Sequence, residues 1–387
     1  MLPEGWTCTT VGDACAIKNN LRMPLNVEQR GELKGPYPYF GPTGVLDYID
    51  HYRIDEEFAV IGEDGDHFLK YREKSMTLHF AGKANVNNHA HIIGTSEKCT
   101  PKWFYYWFMH RDLTSSLSRQ GVGRYKLTKK ALCQLEIWIP PMQEQLRISQ
   151  ILSLWDESIR IAEETVANLK LQRLNIADQL ISGKKRLRSG TPWKQTSISE
   201  LVRESRIAGS GGHEARKLTV KLYGKGVISK VDRRPGSEAT RYYRRRSGQF
   251  IYSKLDFLNG AFGLVPDSLD GYESTLDLPA FDFLPGVDPK WFLSFVSREE
   301  FYRGQLGLAN GGRKARRVNP DDLLRVQIDV PGLDEQHAIA EAIETCSTQV
   351  LAAGRQVELL KREKAALLDD LLTGKRRVRI PSAKAAS

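Results

Sequence analysis

Ile139–Leu152 reads IPPMQEQLRISQIL, and 191 positions later Val330–Ile343 reads VPGLDEQHAIAEAI. The same shift, without a gap, carries NLKLQRLNIADQLISGKKRLR (Asn168–Arg188) onto LLKREKAALLDDLLTGKRRVR (Leu359–Arg379). Pro140, Glu144, Gln145, Ile148, Gly183 and Arg186 return as Pro331, Glu335, Gln336, Ile339, Gly374 and Arg377. A shift near half of the 387 residues is far from a solenoid period of ~20–50. It describes two similar halves, each a globular segment followed by one helical segment.

Each repeat opens on a strand-like run ending in proline, LEIWIP and VQIDVP. Proline suits the first helical turn because its missing N–H is not needed there. Glu144 in one copy, and Asp334 with Glu335 in the other, put negative charge where the helix dipole favours it. The d positions of a heptad are then Ile148, Trp155, Ala162, Leu169 and Ile176, and the a positions Leu152, Ile159, Val166, Arg173 and Leu180. In the second copy they are Ile339, Cys346, Ala353, Leu360 and Leu367, with Ile343, Val350, Val357, Lys364 and Leu371. Nine of each ten are apolar, which is a coiled-coil pattern, and Arg173 and Lys364 breach it at the same place. Gly183 and Gly374 supply left-handed caps, followed by basic residues at the negative end of the dipole. About forty helical residues span ~60 Å, too long to bury within one segment of ~140 residues. Two helices packed on their own domains would satisfy the pattern. The preferred expectation pairs them antiparallel, as a pseudo-two-fold relation requires.

The expected fold is therefore α+β, with two globular mixed α/β domains separated by two long helices in an antiparallel coiled coil. The boundaries read as 1–140, 141–188 (first helix), 189–330, 331–379 (second helix) and a tail at 380–387. No apolar run approaches the ~18–20 residues that span a bilayer, and the N-terminus lacks a basic-then-apolar signal. Five cysteines without CxxC spacing fit a reducing cytoplasm rather than zinc or a disulfide framework. The net charge of +10 is uneven. Residues 1–140 hold 17 Lys/Arg against 16 Asp/Glu (+1), residues 185–254 hold 18 against 5 (+13), and residues 255–300 hold 2 against 9 (−7). A basic block of that size points to a polyanion, and the acidic block to solubility or a basic partner surface.

The globular segments share flanks and diverge between them. PKWFYYWFMHRD (from Pro101) matches PKWFLSFVSREE (from Pro289), aromatic spacing that reads as core. Gly-rich basic turns follow, with Arg124 and Lys126 in the first and Arg313, Lys314, Arg316 and Arg317 in the second, suited to phosphate. In NVNNHAH, the polar ends of Asn87, Asn88, His89 and His91 match base edges, or serve structural hydrogen bonds. His89 and His91 lack a third metal ligand. In the second half Lys221, Lys225, Arg233, Arg234, Arg241, Tyr242, Tyr243, Arg244, Arg245, Arg246 and Lys254 interleave cations with aromatics, which fits phosphate neutralisation and planar contact. A solvated hairpin would look the same. Walker A, GxGxxG and amino-methyltransferase motifs are all missing, so no catalytic role is expected.

The twin P-x-x-x-E-Q…I openings, the twin SGKK and TGKR ends, NVNNHAHII and the run GQFIYSKLDFLNGAFGLVPDSLDGYESTLDLPAF together resemble the DNA-specificity subunits of type I restriction–modification systems, over essentially the whole chain. The resemblance implies two target-recognition domains, each reading one half of a split asymmetric site in double-stranded DNA, with the helices setting the unread gap. It implies docking of two modification subunits that methylate adenine with S-adenosylmethionine. Restriction subunits using ATP and Mg would join that assembly, with no cofactor, metal or membrane contact in this chain. The chain departs from the pattern in a nearly neutral first domain and in Gly332, which stands where proline is expected. The rival expectations are a DNA-modifying enzyme with an unrecognised active site, or a coiled-coil scaffold that does not bind DNA.

Overall fold

Pro140 and Pro331 each close a short strand and release the chain into a long helix. In the computed structural model, which describes residues 2–119, 125–188, 191–231, 237–310 and 317–379, these helices run Met142–Ile181 and Leu333–Leu372. Gly183 and Gly374 end them at φ +73° and +67°, the left-handed caps expected. The chain divides into two compact units: Met1–Glu163 with Arg355–Ser387, and Glu164–Gly354. Each long helix thus gives its two halves to different units.

The first unit is built on a six-stranded sheet. Its strands are β1 (Ala16–Ile17), β2 (Lys34–Phe40), β3 (Val45–Ile49), β4 (Ile54–Gly62), β5 (Thr77–Val86) and β6 (Ala90–Gly94), in the order β1-β6-β4-β5-β2-β3. β2 runs parallel to β5; every other pairing is antiparallel. Alternation along β4 divides its side chains between two cores. Phe58 and Val60 pack with Phe40, Val86 and Ile92 on one face. Ala59 and Ile61 pack on the other with Trp6 and the aromatic helix Pro101–Phe108. That helix is capped by Thr100, whose hydroxyl accepts the Trp103 N–H, and five of its six aromatics, Trp103, Phe104, Tyr106, Trp107 and Phe108, are buried, as the spacing predicts. Ile148, Leu152, Leu371 and Leu372 from the two long helices complete the same core.

The second unit repeats the flanks on a different insert. Asp288 caps Pro289–Val296, burying Trp291, Phe292 and Phe295. Its core combines Phe250, Tyr252 and Phe281 with Leu180, Ile181, Ile339 and Ile343 from the long helices. Three small antiparallel assemblies replace the six-stranded sheet. They are a four-stranded sheet through Phe250–Tyr252, a three-stranded one through Arg241–Arg244, and the hairpin Leu218–Val220/Val227–Ser229. In both units the run before the long helix pairs with the strand that opens the half, Thr7↔Ile139 and Lys194↔Val330.

The repeated Glu-Gln fastens each unit. In the first, the buried Glu144 carboxylate accepts Trp6 Nε1–H at 3.1 Å. It also accepts Arg377 through Nε at 2.8 Å and Nη2 at 3.0 Å. In the second, Glu335 accepts Trp193 Nε1–H at 3.0 Å, with Arg186 bidentate at 2.8 and 2.7 Å. Gln145 accepts the Thr100 N–H and donates to Lys98 and Pro140 carbonyls; Gln336 does the same with Asp288, Gly286 and Pro331. The end of one repeat's helix thus binds the start of the other's. Inside the first unit the ion pairs Glu144–Arg377, Asp156–Lys364 and Glu163–Lys361 ascend one helix as they descend the other, so the pairing is antiparallel. Lys364, the charged a position, binds Asp156 under the Tyr106 ring, whose hydroxyl donates to the same carboxylate at 2.7 Å. A polar group at an a position fixes register at some expense of stability.

Burial alone would raise the Glu335 carboxyl, but the hydrogen bonds from Arg186 and Trp193 outweigh it and hold the group below its usual value. A depressed acid contributes fully above the unfolded pKa of about 4.3 and loses that contribution as pH falls through the folded value. Glu335→Gln keeps an acceptor for Trp193 and loses the ion pair, so it should destabilise the protein by about 1–2 kcal/mol at pH 7. Denaturant unfolding at pH 7 and pH 3 checks this. The gap between wild type and variant should narrow at the lower pH, and an unchanged gap would show that the carboxylate charge does not fasten the unit.

Candidate nucleic-acid interface

The NVNNHAH motif forms the β5–β6 turn of the first unit. Asn87 is buried; its N–H donates to Phe40 and its Oδ1 accepts the His89 N–H, so it shapes the turn. Asn88 and His89 are exposed at its tip. Arg22 Nη1 donates to the Asn88 carbonyl at 2.9 Å and to Glu63 at 2.5 Å, and His89 Nδ1 lies 2.8 Å from Asp64. Lys126 bridges Glu63 (3.1 Å) and Asp64 (3.7 Å). Burial would raise Glu63, but Arg22 and Lys126 donate to it and keep it low, so it stays charged. The tip is thus held in place by Arg22, while the Lys126 charge is balanced by two carboxylates.

His91 requires a correction. It is fully buried in β6, where Nε2 donates to the Leu127 carbonyl at 2.7 Å and Nδ1 accepts from Asn19 at 2.9 Å. Both nitrogens are used internally, and burial lowers its pKa, so the ring is a neutral structural element rather than a base reader.

In the second unit the strand Arg241–Arg244 exposes Arg241 and Arg244 and leaves Tyr242 and Tyr243 half-buried. Lys217 Nζ sits over the Tyr242 ring at 5.3 Å. Arg246 is exposed on the turn beyond. Arg245 is the second correction. It is fully buried and donates to Ser205 and Leu278 carbonyls and the Ser274 hydroxyl, at 2.8, 3.1 and 2.7 Å. Burial pulls it down to about 10. It braces the small sheets and has no face for phosphate. Lys221 and Lys225 are exposed on the loop between Leu218–Val220 and Val227–Ser229; Lys254 is half-buried. Arg317 is paired with Asp277 at 2.7 Å. Arg124, Arg233, Arg234, Arg313, Lys314 and Arg316 lie outside the described residues.

Among the described residues no group of three or more His, Cys, Asp or Glu is placed to hold a metal ion, and no helix is long and apolar enough to cross a membrane. The residues that sequence reasoning undervalued are Glu144, Gln145, Arg186 and Arg377 with their counterparts. Their recurrence at one shift was visible, but not that each copy completes the other.

A family model described as "Type I restriction modification DNA specificity domain" matches residues 3–171. The putative type I restriction enzyme specificity subunit S.HindORF215P of Haemophilus influenzae is 27% identical over 354 residues, 86% of this chain and 85% of that protein. The type I restriction enzyme MjaVIII specificity subunit of Methanocaldococcus jannaschii is 21% identical, over 98% of this chain and 94% of its own. The fold is that of the S subunit from M. genitalium (TM-score 0.57, 12% identity, 96% of this chain and 97% of that one). The HsdS subunit from Thermoanaerobacter tengcongensis has it too (TM-score 0.51, 16% identity, 97% and 98%). Residues 3–171 thus match the specificity-domain family, and the chain as a whole is similar in sequence and fold to specificity subunits of type I restriction–modification systems.

His91→Ala should cost about 2–4 kcal/mol by stranding the Asn19 amide and the Leu127 carbonyl, whereas exposed Asn88→Ala should stay within about 0.5 kcal/mol. The wild type should also lose stability as pH falls below about 6.5, because a buried neutral histidine with a lowered pKa binds its proton more readily unfolded. Chemical denaturation of the two variants, with wild type followed from pH 7.5 to 5.5, checks both. A His91→Ala protein as stable as Asn88→Ala would contradict the structural assignment.

Proposed function

We propose that this chain gives a type I restriction–modification complex its DNA sequence specificity, each globular segment reading one half of a bipartite, asymmetric site. The recognition domains are residues 1–140 and 189–330, and the helices 141–188 and 331–379 join them. The observation that carries this reading is the pairing of sameness and difference. Both units share the clasp, the opening strand and the aromatic helix, yet build unrelated sheets between them. A common mounting with different inserts suits two modules that read different bases.

Asn88 and His89 in the first unit, and Arg241, Arg244, Arg246, Lys221 and Lys225 in the second, are exposed and chemically suited to base edges or phosphate. Lys126, Tyr242, Tyr243, Lys254 and Arg317 stand beside them as supporting contacts. The chain assembles with two modification subunits and with restriction subunits in the cytoplasm. Adenine methylation from S-adenosylmethionine, and ATP- and Mg-dependent restriction, belong to those partners. Support for assembly comes from a further solved structure with this fold, described as "Structural basis underlying complex assembly and conformational transition of the type I R-M system" (TM-score 0.55, 14% identity, covering 97% of this chain and all of that one).

Purified alone, the chain should transfer no methyl group to DNA. Combined with its modification subunits it should confer adenine methylation at one recurring split sequence, detected by sequencing modified bases across a genome. Methyl transfer by the isolated chain, or methylation with no common sequence, would overturn the reading.

A further inference from the structure

The hairpin tip of the second unit, KLYGKG (Lys221–Gly226), places a large aromatic where neither backbone nor burial favours one. Tyr223 has φ +60°, and it is the one non-glycine residue at positive φ among the described residues. Glycine or asparagine is the usual occupant of that conformation. Gly224 and Gly226, at +65° and +80°, already supply the turn's left-handed positions. Nor does packing repay the strain, for Tyr223 is 71% exposed and its neighbour Leu222 is 37% exposed.

The tip is nevertheless firmly strapped. Tyr223 N–H donates to the Asn259 carbonyl at 2.9 Å, Gly224 N–H to Gly260 at 2.8 Å, and Lys221 N–H to Gly226 at 2.9 Å. Gly260, which accepts the Gly224 N–H, is itself at φ +69°, a backbone conformation that a glycine adopts without strain. A strained, braced backbone holding out an unburied ring is the signature of a functional position. The exposed lysines on either side, Lys221 and Lys225, give the chemistry of the target: negative charge flanking a flat or apolar surface.

We propose that Tyr223 contacts a base or a base step in the second half of the DNA site, with Lys221 and Lys225 on the adjoining phosphates. This rests on the DNA-reading role proposed above. An aromatic tip can press on a thymine methyl or wedge into a step, whereas lysines on phosphate add affinity without selectivity.

Tyr223→Gly suits the backbone conformation, so the variant should melt at or above the wild-type temperature while lacking the ring. In complex with the modification subunits, and on duplexes carrying the site mapped from wild-type methylation, it should lose about tenfold or more in affinity. Methylation across a genome should relax in the second half-site only. Tyr223→Phe should retain most selectivity, and Lys221→Ala/Lys225→Ala should weaken binding to all sequences alike and flatten its salt dependence. A Tyr223→Gly complex with unchanged affinity and sites would overturn the proposal. So would relaxation in the first half-site, or failure to assemble with the modification subunits, which would make the tip a protein contact. If the wild-type complex itself bound DNA without sequence preference, the DNA-reading role would fall first, and this proposal with it.

Discussion

A buried glutamate at the start of each long helix holds the architecture together. Glu144 and Glu335 are nearly inaccessible, and each accepts one tryptophan N–H and a bidentate arginine. A carboxylate so buried is tolerable only with its charge matched and its lone pairs used, and both conditions are met from distant chain segments. The tryptophan opens the globular half, while the arginine follows the end of the other repeat's helix. Bidentate geometry also orients the partner, which a point charge would not. The adjacent glutamines extend the fastening to the loop that caps each aromatic helix. Strand, aromatic helix and two long helices therefore meet at one polar node in each unit.

This arrangement explains which features were readable from residues alone. Heptad spacing, the glycine caps and the aromatic helices are local or periodic, and appear where their patterns put them. Glu144 and Arg377 were visible as repeated residues at opposite helix ends, and charge placement along the dipole accounted for each separately. Their joining depends on antiparallel pairing, a non-local event. The parallel contact of Lys34–Phe40 with Thr77–Val86 was equally out of reach, since it links strands with two others between them in the chain.

The candidate interface residues show their charge and polarity in the sequence, but not which of them the fold exposes. His89 and His91 are two apart, yet one stands in an exposed turn and the other inside a strand with both nitrogens bonded. Arg244 and Arg246 are exposed while Arg245, between them, turns inward to four internal acceptors. A run of cations declares its charge and not its direction, because the neighbouring sheets decide which member is enclosed. Tyr223 shows the reverse: its ring was unremarked among the lysines until the backbone conformation set it apart.

Under the proposed function, the two units use the same kind of fastening and carry independent halves of the DNA specificity. The most direct measurement exchanges residues 1–140 for the corresponding domain of a related specificity subunit, keeping Glu144, Gln145 and both long helices, and maps methylated adenines genome-wide in the assembled complex. One half of the recognised sequence should change to that of the donor, with the other half and the spacing between them retained. A hybrid that folds, assembles and methylates, but whose target changes in both halves or in neither, would contradict the account.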